Sequence, residues 1–250
     1  MLERLAAEHE IAFCLTRPDR PAGRGRRTTA PAAKQPAGRL GIPVMQPERL
    51  DCSVELPAGT IVAVAYGVLV PSALLERHLW LNVHPSLLPL WRGAAPVERA
   101  IMAGDRETGV TIIQLVEELD AGPIGAQQAF PIGPEDDAGA IYERAAEAAT
   151  VLLRGVLAGL PDLRPQPADG ITYAEKISAA DRELDWSRPP EELLARIRAL
   201  SPHIGARAEL DGRRVVVWRA RVAGGRLEPL EVQPEGGRRM AYDEFRRGLR

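Results

Sequence analysis

The sequence predicts a two-domain α/β protein. A mostly parallel, twisted sheet with helices occupies residues 1–160, a connection runs over 161–184, and a small β-module fills 185–250. Three observations carry this. Short apolar, β-prone runs at 11–15, 61–65, 81–83 and 109–117 alternate with helical patterns. The polar stretch 161–172 holds Pro161, Pro165, Pro167 and Gly170 and reads as a linker. Beyond it a helix precedes three strands, the first two separated by Asp211-Gly212, a hairpin signal.

The composition bounds the rest. At 250 residues, with 45% hydrophobic and 26% charged side chains, the chain is an ordinary globular protein with room for a core and a second small domain. No apolar run approaches the length of a membrane span, and the start, MLERLAAEHE, lacks the apolar region of a signal peptide. Cys14 and Cys52, the only cysteines, have no metal-ligand or CxxC spacing and read as inert packing residues of a reducing compartment. A net charge of -2 excludes a nucleic-acid-binding polycation, but residues 1–50 and 201–250 each carry +4, so the middle 150 carry -10. Two basic ends around an acidic middle could hold a polyanion. With only two lysines, Lys34 and Lys176, the arginine excess also reads as a compositional habit.

In chain order, residues 1–10 have helical periodicity, with Leu2, Leu5 and Ala6 on one side, and 11–15 follow as a buried strand. The next stretch, TRPDRPAGRGRRTTAPAAK, is too dense in Pro and Gly for regular structure and carries Arg17, Arg20, Arg24, Arg26 and Arg27. A loop after a parallel strand lies on the edge where α/β proteins bind ligands. A flexible Gly/Arg segment there suits phosphate contacts that order on binding, although composition alone makes it a disordered loop. Residues 36–40 predict a short helix, 42–44 a brief strand, and 51–60 are short for a crossover helix. The strand at 61–65 runs into a turn-rich segment with Tyr66, Gly67 and Pro71. Further on, 96–104 predicts a helix ending at Gly104, 109–117 and 127–131 predict strands, and 138–160 a long helix burying Ile141, Ala145, Ala149, Leu152, Leu153 and Val156. The C-terminal part predicts a helix at 190–200, strands at 206–210, 215–222 and 227–232, and a short helix at 242–249.

The stretch LNVHPSLLPLWRGAAP, residues 81–96, organises the chain. On a strand at 81–83, Asn82 and His84 project from one face and Pro85 ends the strand beside them. An amide donor beside an imidazole suits acyl-group chemistry: one stabilises an oxyanion, the other manages a proton near neutral pH. On spacing alone, the plainer reading is two satisfied polar groups at a strand end. Asp120, in a strand-end loop before Gly122 and Pro123, likewise reads by itself as an Asx-turn residue. His9, His78 and His203 read as surface residues, and no cluster of His, Cys, Asp and Glu suggests a metal.

As a string, Asn82-Val83-His84-Pro85-Ser86-Leu87-Leu88-Pro89 followed by Trp91-Arg92-Gly93-Ala94-Ala95-Pro96 resembles the signature of the 10-formyltetrahydrofolate-dependent formyltransferases. It is most similar to those acting on initiator methionyl-tRNA. The resemblance extends through the 18–25 string PDRPAGRG, Glu118-Leu119-Asp120-Ala121-Gly122-Pro123-Ile124, the segments 171–177 and 184–186, and 231–236 with Met240, so it covers about residue 16 to 250. Leu90 departs from it, standing where the family usually carries a basic residue, which sets one contact to an anionic ligand in question.

The resemblance implies a Rossmann-like sheet and a C-terminal barrel of OB type, shortened here because only three strands are found. It implies transfer of a formyl group from 10-formyltetrahydrofolate to the amine of initiator methionyl-tRNA, with no metal, by a cytoplasmic monomer. Asn82, His84 and Asp120 become catalytic: Asn82 on the oxyanion, His84 sharing that task or shuttling the proton, Asp120 orienting His84. Ser86, Leu87, Leu88 and Pro89 form one wall of the folate pocket. Tyr66, Gly67 and Val68 lie against the pterin, mostly through backbone. Arg17, Arg20, Arg24, Arg26 and Arg27 face RNA. The same trio would serve an amino-sugar-nucleotide N-formyltransferase, against which the 18–25 loop and the C-terminal module speak. A degraded, non-catalytic paralogue that binds folate or RNA is the third reading. In the family the chain opens with a β-strand and a Gly-containing turn before the first helix. Residues 1–10 match that helix and 11–15 the second strand, so the first strand has no counterpart, and the expectation is a true start upstream of Met1.

Overall fold

The alternating pattern resolves into short strands and helices in a computed structural model, which describes residues 1–22, 27–159 and 162–248. The order begins α1 (Leu2–Ala6), β1 (Cys14–Leu15), β2 (Arg20–Ala22), β3 (Arg27–Thr29), α2 (Lys34–Arg39), β4 (Val44–Met45), β5 (Thr60–Val64), α3 (Ser72–Arg77) and β6 (Leu79–His84). It continues β7 (Arg92–Gly93), α4 (Pro96–Ala103), β8 (Glu107–Gln114), β9 (Ile124–Pro131), α5 (Ala138–Ala158) and β10 (Tyr173–Ala174). A 3-10 turn at Ala180–Arg182 precedes α6 (Pro190–Leu200), β11 (Ala206–Leu210), β12 (Arg213–Ala223), β13 (Arg226–Pro234), β14 (Met240–Ala241) and α7 (Tyr242–Arg247). These fall into two units, Met1–His84 with Val110–Gln128 and Ala146–Gln166, and Pro85–Gly109 with Ala129–Ala145 and Pro167–Arg250. The second unit thus draws on residues from both sides of the 161–184 connection.

The first unit is built on the sheet order β5-β6-β8-β9. β5 and β6 are parallel, whereas β8 runs antiparallel to β6, so the sheet is mixed. A second parallel pair, β1 with β4, stands apart from it in hydrogen bonding. Phe13 and Leu15 nevertheless pack on the cluster Ile61, Ala63, Leu74 and Trp80, so side chains rather than a ladder join the two pieces. Trp80 lies under α3, where its indole N–H donates to the Leu74 carbonyl at 3.0 Å. That bond satisfies the one polar atom of a large buried side chain.

Two expectations for this unit need correction. The strand predicted at 11–15 pairs over two residues only, because its partner β4 is flanked by Pro43 and Pro47, which have no N–H to extend the ladder. The arginine-rich stretch predicted to lack regular structure contains an antiparallel pair, Arg20↔Thr29, Pro21↔Thr28 and Ala22↔Arg27. Thr28 and Thr29 supply β-branched propensity, and a two-stranded ribbon is all edge, where Pro21 is tolerated.

In the second unit, β11, β12, β13 and β14 form an antiparallel sheet in chain order. Asp211-Gly212 connects β11 to β12 as predicted, and β14 is a fourth strand that a two-residue pairing made invisible in the sequence. The inner face carries Ala206, Ala208, Val215, Val217 and Val232, closed by Leu193, Ile197 and Leu200 of α6 and Phe245 of α7. Each fully buried Val, Leu, Ile or Phe contributes about 1.5–3 kcal/mol. Met102 of α4 packs on the same core. Arg99 of α4 clamps Asp181 at 2.9 Å and 3.0 Å, and that guanidinium holds the Asp181 carboxyl far below the usual carboxylate range. The segment read as a linker therefore makes ordered contacts. β10 pairs in parallel with β7, Tyr173↔Arg92 and Ala174↔Gly93. The long helix α5 buries the stripe Ile141, Ala145, Ala149, Leu153 and Val156, while Leu152 is only half-buried.

Candidate active site

β6 sits between β5 and β8, so both its backbone edges are engaged and the side chains it carries are held firmly. The register puts Asn82 opposite Ala63 and Ile113, and His84 opposite Thr111. Being two apart, Asn82 and His84 leave the strand on the same face. Asp120 arrives from the turn between β8 and β9. Its φ is 48°, a left-handed conformation that Asp tolerates better than most residues. Gly122 follows because a Cβ there would overlap the carbonyl oxygen of Gln114.

Asn82 and His84 converge on the Asp120 carboxylate. The Asn82 amide donates to Asp120 Oδ1 at 3.2 Å. Asp120 Oδ2 lies 3.6 Å from His84 Nδ1, within ion-pair range and beyond a direct hydrogen bond. The His84 and Asp120 side chains are 4% and 9% exposed, so the pair interacts with little solvent screening. Asn82 has two amide hydrogens, and the bond to Asp120 uses one. The other can meet a developing oxyanion while His84, steadied by the carboxylate, carries a proton.

The residue that ties the acid's turn down has no signature in the residue pattern. Gln166 Nε2 donates to the Asp120 carbonyl at 2.7 Å and to the Gly122 carbonyl at 2.8 Å. A lone Gln between Pro165 and Pro167 looks like linker composition, and only the fold brings it to the turn 44 to 46 positions earlier.

The remaining predicted residues fall in separate places. Tyr66, Gly67 and Val68 form the turn after β5 in the first unit. Val68 and Leu69 there are 40% and 80% exposed, an apolar surface that suits a flat heterocycle. Ser86, Leu87, Leu88 and Pro89 belong to the second unit. The Ser86 hydroxyl donates to the Leu90 carbonyl at 2.6 Å, the Leu88–Pro89 peptide is cis, and the Pro89 carbonyl accepts from Thr172 N–H at 3.3 Å. Leu90 is partly exposed. Arg20 is exposed on β2, and the Arg27 backbone is in β3. Arg24 and Arg26 lie outside the described residues. Arg17 is exposed, and its guanidinium is turned toward the Tyr66–Gly67 backbone. Cys52 is exposed and Cys14 half-buried, so neither is a core packing residue. His9, read as a surface residue, has a buried Nε2 with no hydrogen-bond partner.

Known sequences decide the family. The profile described as formyl transferase matches residues 2–157, and that of the formyl transferase C-terminal domain matches 176–226. The chain belongs to the formyl transferase family. It is 41% identical over 276 residues to the methionyl-tRNA formyltransferase of Paracoccus denitrificans, covering 99% of this chain and 93% of that one. It is 46% identical over 248 residues to the methionyl-tRNA formyltransferase of Xanthomonas axonopodis pv. citri, covering 94% and 80%. Among solved structures, HypX from Aquifex aeolicus in complex with tetrahydrofolic acid superposes with a TM-score of 0.61 at 20% identity, over 74% of this chain and 38% of that longer one, a likeness of fold. In this formyltransferase no described helix is long and apolar enough to cross a membrane.

Proposed function

We propose that this formyltransferase moves the formyl group of 10-formyltetrahydrofolate to the α-amine of initiator methionyl-tRNA in the cytoplasm, acting as a monomer. The names of its relatives support the substrates. The observation that carries the chemistry is the single buried carboxylate of Asp120 shared by Asn82 and His84. The neutral amine attacks the formyl carbon, and the carbonyl electron pair moves onto oxygen, where the second Asn82 amide hydrogen meets it. His84 takes the proton released by the attacking nitrogen, and Asp120 stabilises the imidazolium. Collapse of the tetrahedral intermediate breaks the bond to the folate nitrogen, which receives the proton from His84. Carbon–nitrogen bonds made and broken balance, and no oxidant or metal enters.

For the folate, Tyr66, Gly67 and Val68 supply a backbone edge and an apolar surface, and Ser86, Leu87, Leu88 and Pro89 keep the wall role that the resemblance implies. Arg20, Arg24, Arg26 and Arg27 contact tRNA phosphates. The test is formyl transfer by the purified protein to charged initiator methionyl-tRNA, with an amino-sugar nucleotide as the competing acceptor. Formylation of the tRNA alone is expected. Turnover on the sugar nucleotide alone, or on neither acceptor, would overturn the reading.

A further inference from the structure

Arg17 stands with the arginines that the resemblance assigns to RNA, yet its guanidinium is turned to the backbone of the Tyr66–Gly67 turn. Nε donates to the Tyr66 carbonyl at 3.1 Å, and Nη2 donates to the Gly67 carbonyl. The backbone of Arg17 is anchored as well. Its carbonyl accepts from Gln46 Nε2 at 2.8 Å and from the Thr16 hydroxyl at 3.0 Å. Gln46 Nε2 also reaches Asp19 Oδ1 at 2.8 Å, and Asp19 Oδ2 pairs with Lys34 at 2.8 Å. The side chain therefore leaves a fixed base and ends on two successive carbonyls.

The turn it reaches needs such a brace. Ala65 has φ 47° and Gly67 φ 63°, so two left-handed residues flank Tyr66. Ala pays a steric penalty in that conformation, and exposed turns with such residues relax unless something outside them over-determines their shape. A planar guanidinium fork fits two neighbouring carbonyls in a way that a point charge cannot. It also fills the space where a Cβ on Gly67 would sit. An arginine that reads phosphate presents its fork to the anion, whereas here the fork faces backbone oxygens.

We propose that Arg17 is a positioning residue for the Tyr66–Val68 turn, so that it governs folate affinity and not tRNA affinity. The proposal rests on the folate reading of that turn. Its test uses the full chain with Arg17→Met, which keeps the stem and removes every donor, and Arg17→Lys, which can reach one carbonyl at a time. Titration calorimetry with 5-formyltetrahydrofolate is combined with steady-state kinetics and with initiator-tRNA binding across a salt series. Because Arg17 is exposed, both variants are expected to melt with the wild type. For Arg17→Met, folate Kd and KM should rise about tenfold, the loss of one charged hydrogen-bond anchor, while kcat at saturating folate stays within about twofold. Arg17→Lys should lie between. The tRNA salt slope should not change. A folate Kd within about twofold of wild type, or a tRNA salt slope lowered by about one, the signature of a lost phosphate contact, would overturn the proposal. Wild-type protein that binds no 5-formyltetrahydrofolate would instead sink the folate reading first, and the two failures are thereby told apart.

Discussion

Replacing Asp120 by Asn probes the site with the least disturbance to shape. Asn tolerates the left-handed φ of 48° and keeps an oxygen for the Asn82 amide, so the turn held by Gln166 should persist. The carboxylate charge disappears, and the new amide hydrogens oppose any proton on His84 Nδ1. At the observed 3.6 Å separation, a unit charge pair in an effective dielectric of about 20 interacts with about 4–5 kcal/mol. If that attraction acts fully on the imidazolium formed in the transition state, its loss corresponds to about 10³ in rate. The assay is kcat for formylation of initiator methionyl-tRNA at saturating 10-formyltetrahydrofolate, with the folate Kd and melting temperature measured alongside. The expectation is a kcat lowered by about 10²–10³, a folate Kd near wild type, and a melting temperature lowered by no more than a few degrees. A variant that keeps kcat within about threefold would refute the idea that the carboxylate steadies a charged His84.

Asn82→Ala should cost about 10²–10³ in kcat, be non-additive with His84→Ala, and leave folate binding intact; transient and steady-state kinetics on the single and double variants check this. Neutralising Arg20, Arg24, Arg26 and Arg27 together should weaken tRNA binding and flatten its salt dependence, and an unchanged slope would leave the loop as a connector. Glu98, buried on α4 and bonded by the Tyr142 hydroxyl at 3.0 Å, has its carboxyl pushed above the usual range by burial. A raised carboxyl favours the folded state at acid pH, and that advantage is lost as pH rises through its folded value. Glu98→Gln should therefore raise the neutral-pH melting temperature by about 2–4 °C, and a fall would contradict the sign. Asp181 is the opposite case. Its carboxyl is held low, chiefly by Arg99, so the pair stabilises above the ordinary carboxylate range and weakens as pH drops through and below it. Arg99→Leu should cost about 1–3 kcal/mol near pH 7 in denaturant unfolding, and less at pH 3.

Much of this was readable from residue patterns because those patterns are local. The strand run at Ile61–Ala63, the Pro-led helix Pro190–Leu200 and the Asp211-Gly212 hairpin each announce themselves within a few neighbours. Asn82 and His84 share a face by the period of a strand, and only the resemblance lifted them, with Asp120, above satisfied polar residues. What stayed hidden depends on partners far along the chain. β7 and β10 are two residues each, too short to pattern, and exist because Arg92 and Gly93 meet Tyr173 and Ala174. The antiparallel direction of β8 is set by its pairing to β6 and has no signature in its own apolar run. Arg17 and Gln166 look like loop and linker composition, and their roles rest on carbonyls presented by turns elsewhere.

The bond from Gln166 to the Asp120 carbonyl also places the site in time. A ribosome adds roughly 5–20 residues per second, so the acid's turn leaves the peptidyl-transferase centre roughly 2–9 s before the side chain that fastens it, 46 positions later. During that interval the nascent chain can pair β6 with β8, and thereby seat Asn82 and His84, while Asp120 remains on an unfastened turn. The last fastening of the Asp120 turn thus comes from a residue made after the long helix, and not from the strands that carry Asn82 and His84. Comparing stalled nascent chains that stop before and well after residue 166 for protease protection of the 118–122 turn reads this directly. Equal protection in both would mean that the turn sets without its clasp.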